Sequence, residues 1–271
     1  MQLNTIHAFQ KTVLNYYHQH GRHDMPWRQS GPDGFNPYFI LVSELMLQQT
    51  QVSRVIPKYL SFIDTFPTVT DLAAAPLGAV LQAWSGLGYN RRAKYLWQAA
   101  NMVAQDFHGN FPAAEGELVR LPGVGPNTAA AIRAYAFDQP VVFIETNIRS
   151  VFIHHFFAAE TRVTDKQILA VVQTALPTSS PRQWYWALMD YGSFLKQTNS
   201  NVARRSASYV RQSTFKGSVR QLRGQVIKAL SERPYTDAEL HSSLADDRLD
   251  GVLQALRSEG LISQRGDVLS I

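Results

Sequence analysis

Two glutamates sit where a carboxyl group could do acid–base work. Glu44 is the single acid in LVSELMLQQTQVSRVIP, residues 41–57. A carboxylate among Leu, Val and Met should have a raised pKa, because desolvation disfavours its charged form, and it could then donate a proton near neutral pH. The plainer alternative is a glutamate on the polar side of its helix, facing water. Glu145 follows the apolar run of PVVFIETNIRSVFIHHFF, residues 140–157, and precedes Asn147 at what reads as a helix start. There the helix dipole would keep a carboxylate ionised, or simply tolerate a surface charge. A neutral acid beside an anion is what cleavage of a glycosidic bond through an oxocarbenium-like state requires.

A third feature is LVRLPGVGPNTAAAIRAYA, residues 118–136. One helix runs into Pro122, the chain turns through Gly123, Val124 and Gly125, and a second helix starts near Asn127 and Thr128. Glycines let the backbone approach a ligand closely, and the first N–H groups of the new helix point outward beside a positive dipole end, a place for a phosphate. A plain helical hairpin with close packing is the alternative. Gln48, Gln49, Thr50 and Gln51 add flat hydrogen-bonding side chains suited to base edges. His154 and His155 cannot face one way on a helix and read as structural, and no spacing among the eight histidines suggests a metal site.

The elements that must carry these residues are helices. Apolar periodicity places them at 4–19, 38–54, 57–66, 69–74, 77–84, 90–107, 115–121, 127–137, 145–157, 165–175 and 181–197, with Thr68 and Thr164 at N-cap positions. Helices at 219–231, 237–244 and 248–259 followed by a hairpin over 261–271 give winged-helix order. The predicted class is all-α, with domains at 1–196 and 219–271 joined by a connector over 197–218. The 271 residues carry a net +5, unevenly spread. Lys196, Arg204, Arg205, Arg211, Lys216, Arg220, Arg223 and Lys228 occur in 191–231 without one acid, whereas 232–271 is net acidic, with Asp246, Asp247, Asp250 and Glu259 about its third helix. A basic stripe on a near-neutral body fits a polyanion, or a solvated linker. The acidic unit suits packing or a protein partner better than phosphates. No apolar run approaches the roughly 18 to 20 residues of a membrane span, and no signal peptide is visible, so a cytoplasmic protein is expected. Cysteine is absent, which excludes a thiol nucleophile, a disulfide framework and a thiolate-held iron–sulfur cluster.

PWR at 26–28, SELMLQQTQV at 43–52, FPTVTDLAAAPL at 66–77, WSGLGY at 84–89, LPGVGPNTAAAI at 121–132 and LMDYGS at 188–193 together resemble the helix–hairpin–helix (HhH-GPD) DNA glycosylases, and among them the MutY-type adenine glycosylases. The resemblance runs in order across residues 25–195. It implies a two-lobed all-α fold that holds damaged or mismatched duplex DNA and flips a nucleotide into a pocket. It makes Glu44 the acid that protonates the departing adenine and helps activate water. Glu145 falls where the family has an aspartate stabilising the sugar cation, with Asn147 beside it. Gln48 and Gln49 match residues filling the gap in the stack, and Tyr89 one that wedges near the opposite base. Trp27, Arg28, Leu47 and Trp186 match the base pocket. Leu121 to Gly125, with Asn127 and Thr128, would hold a phosphate, and the carbonyls of Val119, Leu121 and Val124 a Na⁺ or K⁺ ion. Arg204 and Arg205 are expected on the DNA backbone.

Asn127 stands where the related endonuclease III-type enzymes place a lysine for strand cleavage, so a monofunctional glycosylase is expected. The chain departs from the MutY-type pattern in three further respects. The usual four cysteines are replaced by Lys196 and the basic connector, so no cluster and no required cofactor is expected. Trp186 stands where the family has a Gln or Glu on the adenine edge. The usual C-terminal reader of 8-oxoguanine is replaced by the acidic unit, so opposite-base recognition is expected from the body, or relaxed. The leading expectation is excision of adenine opposite 8-oxoguanine or guanine by a nucleoid-associated monomer. The alternatives are a glycosylase for another deaminated or alkylated base, and a DNA-binding damage sensor that does not cut.

Overall fold

The computed structural model describes residues 3–32, 34–199, 202–210 and 214–271, so Arg211 of the basic stripe lies outside the described residues. In chain order the helices are α1 (Leu3–His20), α2 (Pro37–Leu47), α3 (Val52–Thr65), α4 (Val69–Ala74), α5 (Leu77–Trp84), α6 (Arg91–Asp106) and α7 (Glu115–Leu118). Next come α8 (Pro126–Tyr135), α9 (Thr146–Phe156), α10 (Asp165–Ala175) and α11 (Pro181–Thr198). The chain ends with α12 (Val219–Glu232), β1 (Tyr235–Thr236), α13 (Asp237–Leu244), α14 (Leu249–Ser258), β2 (Ser263–Arg265) and β3 (Val268–Ser270). Short 3-10 turns occur at Pro26–Arg28 and Ala203–Arg205. Among the described residues no helix is long and apolar enough to cross a membrane.

The helical class is as the periodicity implies, and so are two of its punctuation marks. Thr68 and Thr164 each accept from the backbone N–H three residues on, while Asp71 and Gln167 return the bond in reciprocal capping boxes. The expected helix over 38–54 does not run through. It stops at Leu47, Gln49 adopts a left-handed backbone (φ 54°), and α3 starts at Val52 with Pro57 inside it. The C-terminal hairpin is present, and β1, which the apolar pattern is too short to reveal, joins it in an antiparallel sheet of order β1-β3-β2.

Two compact units result. The first comprises Met1–Ile40, Ala113–Val119 and Val124–Arg211. In its core Phe9 meets Phe152, Phe156 and Trp184 edge to face, with ring centroids 5.2, 4.8 and 5.7 Å apart. α9 and α11 approach so closely that a Cβ on Gly192 would lie 2.3 Å from the Asn147 carbonyl oxygen. The second unit comprises Leu41–Pro112, Arg120–Gly123 and Gln212–Ile271. Here Phe62 packs edge-on to Trp84 at 6.2 Å, and the Trp97 indole donates to the Ala75 carbonyl at 2.9 Å. The C-terminal helices and sheet belong to this unit, not to a detached appendage. Glu259 accepts from Arg91 of α6 and from Arg223 of α12, both at 2.6 Å, and Lys94 donates to its carbonyl.

Because the atom facing Gly192 is backbone, Gly192→Ala cannot be relieved by a rotamer change. Overpacking of this kind costs on the order of 3 kcal/mol, which should lower Tm by roughly 5–10 °C. Gly251→Ala, on α14 with open space around its Cβ, should instead stabilise by up to about 1 kcal/mol. Thermal melts of the two variants against the parent check the contrast.

Candidate active site

The residues of chemical interest fall on both units, and each set is built by its own unit. In the second unit α2 presents Glu44. Residues from Ile40 to Met46 are buried except Glu44, which is half-buried. Glu44 is thus the one side chain of residues 40–46 that keeps partial access to solvent. At the end of α2 the chain must turn, and the last carbonyls of a helix lack internal partners. Arg92, 8% exposed, supplies them: its guanidinium donates to the carbonyls of Leu45 (2.6 Å), Met46 (3.1 Å) and Gln48 (2.6 Å). The other terminal nitrogen reaches Thr50 Oγ1 (3.2 Å) and the carbonyls of Leu87 and Gly88. The same guanidinium lies 5.4 Å over Trp84 and 5.2 Å over Tyr89. Burial lowers the Arg92 pKa to about 10, so the group stays charged at neutral pH.

Arg92 thus fixes two loops at once, 48–50 and 86–89. Gln48 and Gln49 are exposed on the first, with Leu47 half-buried before them. Tyr89, also left-handed (φ 49°), stands on the second, and its hydroxyl donates to Gln49 Oε1 at 2.7 Å. The three side chains expected to enter a base stack therefore share one framework. Nothing in the local sequence of Arg92 gives it this role, because its partners lie up to 47 residues away.

The first unit holds most of the other residues, with Leu121 and Gly123 belonging to the second. Pro126 opens α8 with Gly125 as its extended N-cap, and Asn127 is exposed at the helix start with Thr128 half-buried behind it. Gly123 needs its left-handed backbone (φ 80°). Asn127 Nδ2 donates to the Ile144 carbonyl at 3.2 Å, linking the start of α8 to the strand of chain before Glu145. Val119 is exposed, and Leu121 and Val124 are buried.

Glu145 is the N-cap residue of α9, but its side chain makes no capping bond. Burial pushes its carboxyl up from the ordinary value, and Arg149 only partly opposes this. Arg149 is already held bidentately by Asp165, at 2.8 and 2.9 Å. Burial thus works against the ionisation that a position at a helix start would favour. Asn147 donates to the Met189 carbonyl at 3.2 Å and accepts from Lys196 Nζ at 3.3 Å. Burial lowers the pKa of that lysine. His155 is structural, bonded to the Tyr191 hydroxyl at 3.0 Å, with its pKa pushed down to about 4 by burial and by His154.

Trp27 and Arg28 lie in a buried 3-10 turn. Arg28 is fixed by Asp190, which accepts from both its terminal nitrogens (2.8 and 2.9 Å) and from Arg22. Burial alone would raise the Asp190 carboxyl, yet the two guanidiniums hold it below the usual range. Asp190 is the residue that motif reading passed over, although it lies inside LMDYGS. Arg28 in turn lies 5.4 Å over Trp186, whose ring runs nearly parallel to Tyr135 (13°) and edge-on to Phe35. Arg204 is exposed. Arg205 has another task, because its guanidinium donates to the carbonyls of Glu160 and Phe157 behind α9.

Residues 42–177 match the family model described as HhH-GPD superfamily base excision DNA repair protein. The adenine DNA glycosylase of Mycolicibacterium smegmatis is 34% identical over 94% of this chain and 92% of its own length. That of Buchnera aphidicola subsp. Baizongia pistaciae is 36% identical over 70% of this chain, and the matched part spans only 54% of that protein. Among solved structures, a thermostable thymine-DNA glycosylase aligns with a TM-score of 0.60 at 25% identity, over 70% of this chain and 87% of that one. A non-covalent endonuclease III–DNA complex aligns at 0.61 and 18% identity, over 73% and 89%.

Replacing Arg92 with Met strands buried carbonyls that its guanidinium now serves. Unfolding free energy should fall by about 3 kcal/mol or more, and amide exchange should accelerate first at 48–50 and 86–89. Hydrogen-exchange mass spectrometry would show uniform acceleration instead if Arg92 supported only the core.

Proposed function

The chain belongs to the HhH-GPD superfamily of base excision DNA repair proteins, and from that premise we propose that it is a monofunctional glycosylase excising adenine mispaired with guanine or 8-oxoguanine. The observation that carries this reading is Glu44, a half-buried carboxyl on a helix otherwise buried from Ile40 to Met46. A group so placed can exchange a proton with a bound base away from bulk water. The full-length likeness to an adenine DNA glycosylase supports adenine as that base.

In the proposed reaction the Glu44 carboxyl protonates a ring nitrogen of the flipped adenine. The C1′–N9 bond then breaks and its electron pair leaves with the base. The cationic sugar is stabilised by the Glu145 carboxylate, which must be ionised to act. Water adds to C1′ and gives its proton to the Glu44 carboxylate, which restores the acid and leaves an abasic site. The arrangement of Asn127 supports the absence of a lyase step, since an amide donating to the Ile144 carbonyl offers no amine nucleophile. Exposed N–H groups at the start of α8 suit a DNA phosphate. A Na⁺ or K⁺ ion on the carbonyls of Val119, Leu121 and Val124 would stiffen that turn. Trp186, with Arg28 behind it, would offer the base a ring face.

Incubation with a duplex carrying adenine opposite 8-oxoguanine, followed by alkali, should give a nick that is absent without alkali. Glu44→Gln should remove it, and borohydride should trap no covalent adduct. A trapped adduct or a nick without alkali contradicts the monofunctional assignment. A separate expectation concerns pH. The raised pKa of Glu145 means its anion is lost as pH falls through a value above the usual glutamate range, so the acidic limb of the single-turnover rate should lie above about pH 4.3. Glu145→Gln should slow excision at least about a hundredfold, the scale of removing one positioned electrostatic group, and should abolish that limb. An acidic limb unchanged in Glu145→Gln assigns it to another residue.

A further inference from the structure

We infer that the first turns of α12 determine specificity, with Arg220 reading the base opposite the excised one and selecting a 6-oxopurine, guanine or its 8-oxo derivative. This rests on the glycosylase reading above and reverses the expectation that the C-terminal segment leaves opposite-base recognition to the body.

A cavity of about 430 Å³ lies wholly within the second unit, a volume in the ordinary range of binding pockets. Its lining includes Gln48, Gln49, Tyr89 and Tyr95 and, from α12, Arg220 and Arg223. Those two arginines, with Gly224, stand three and four residues apart and so share one helix face. Gly224 leaves room, because a Cβ there would meet nothing within 4 Å. Glu259 fixes the arrangement by joining Arg223 of α12 to Arg91 of α6. Glu259 of the acidic segment thus lines the cavity too, beside the end of the basic stripe.

Arg220 is joined to the wedge itself. Its guanidinium lies 5.6 Å over the Tyr89 ring and donates to the Tyr89 hydroxyl, which donates onward to Gln49. A base entering here would meet a planar fork of donors beside the Tyr89 ring. Such a fork matches two neighbouring acceptors, which guanine presents as O6 and N7. The 8-oxo derivative keeps O6 for one prong of the fork, and the N7–H it acquires can be accepted by the Gln48 carboxamide oxygen. Cytosine offers an amino donor to the same fork and is disfavoured.

The test measures affinity for short duplexes carrying a tetrahydrofuran abasic analogue opposite guanine, 8-oxoguanine, cytosine or thymine, across a range of salt. The parent should bind the two purine duplexes more tightly, and Arg220→Ala should reduce that preference by about five- to a hundredfold. Arg220→Lys, which keeps the charge but loses the fork, should lose the preference while keeping the salt slope. A larger loss for one of the two purines identifies which of them Arg220 contacts. Equal weakening on all four duplexes with a shallower salt slope would make Arg220 a phosphate contact and overturn the proposal, as would a parent without preference. Melting temperatures exclude misfolding. Because the analogue contains no adenine, failure of adenine excision would refute the proposed function without touching this result.

Discussion

The structure of the second unit turns on one buried cation. Helix α2 has to end abruptly, since its apolar residues bury the surroundings of Glu44 while the next residues, Gln48 and Gln49, stand exposed. A helix that ends inside protein leaves carbonyls without donors, and each would cost about 1–3 kcal/mol if left so. Arg92 removes that cost for Leu45, Met46 and Gln48 together, and with its remaining donors it holds Leu87 and Gly88. The acid and the wedge are consequently not independent features. Moving one loop means breaking the bonds that terminate the helix bearing the acid.

The first unit uses the opposite polarity for a similar purpose. Asp190 on α11 is 2% exposed and gathers Arg22 and Arg28 from a segment 160 residues earlier. Two guanidiniums against one carboxylate give a buried cluster with a net positive charge, and the ring face of Trp186, 5.4 Å from Arg28, lies within its field. Two left-handed non-glycine residues, Gln49 and Tyr89, show the same economy in the second unit. Each conformation is unfavourable in isolation by about 1–3 kcal/mol, and each persists because hydrogen bonds to Arg92 and between the two side chains over-determine it.

What the sequence disclosed and what it hid divide along this line. Local signals were readable: the Thr68 and Thr164 caps, the Gly123 turn before Pro126, and the isolation of Glu44 among apolar residues all depend on neighbours within a few positions. Asp190 and Arg92 were not readable as hubs, because their partners are distant in sequence and any buried charge looks locally like a surface one. The break after Leu47 was hidden for the same reason, since 38–54 has an acceptable helical pattern and only a tertiary donor makes stopping favourable. Glu145 stands at a helix start as its pattern implies, yet its electrostatics depend first on burial, which no local pattern shows, with Arg149 only partly opposing it.

The absence of cysteine poses a structural problem after α11, where the family resemblance leads one to expect a cluster-bound loop. The chain closes that region with ordinary chemistry. Val202 is buried, Val163 and Ser206 form a parallel bridge whose flanking bonds are Val163 N–H to Arg205 O (2.9 Å) and Ala207 N–H to Val163 O (2.8 Å), and Arg205 caps the carbonyls behind α9. Lys196, at the end of α11, donates to the side chain of Asn147 two residues from Glu145. These contacts place the anchoring of the connector and the support of the carboxylate on the same two helices, α9 and α11, whose backbones meet at Gly192. On the described part of this segment Arg204 is exposed, and an exposed cation is a group that a phosphate backbone can use.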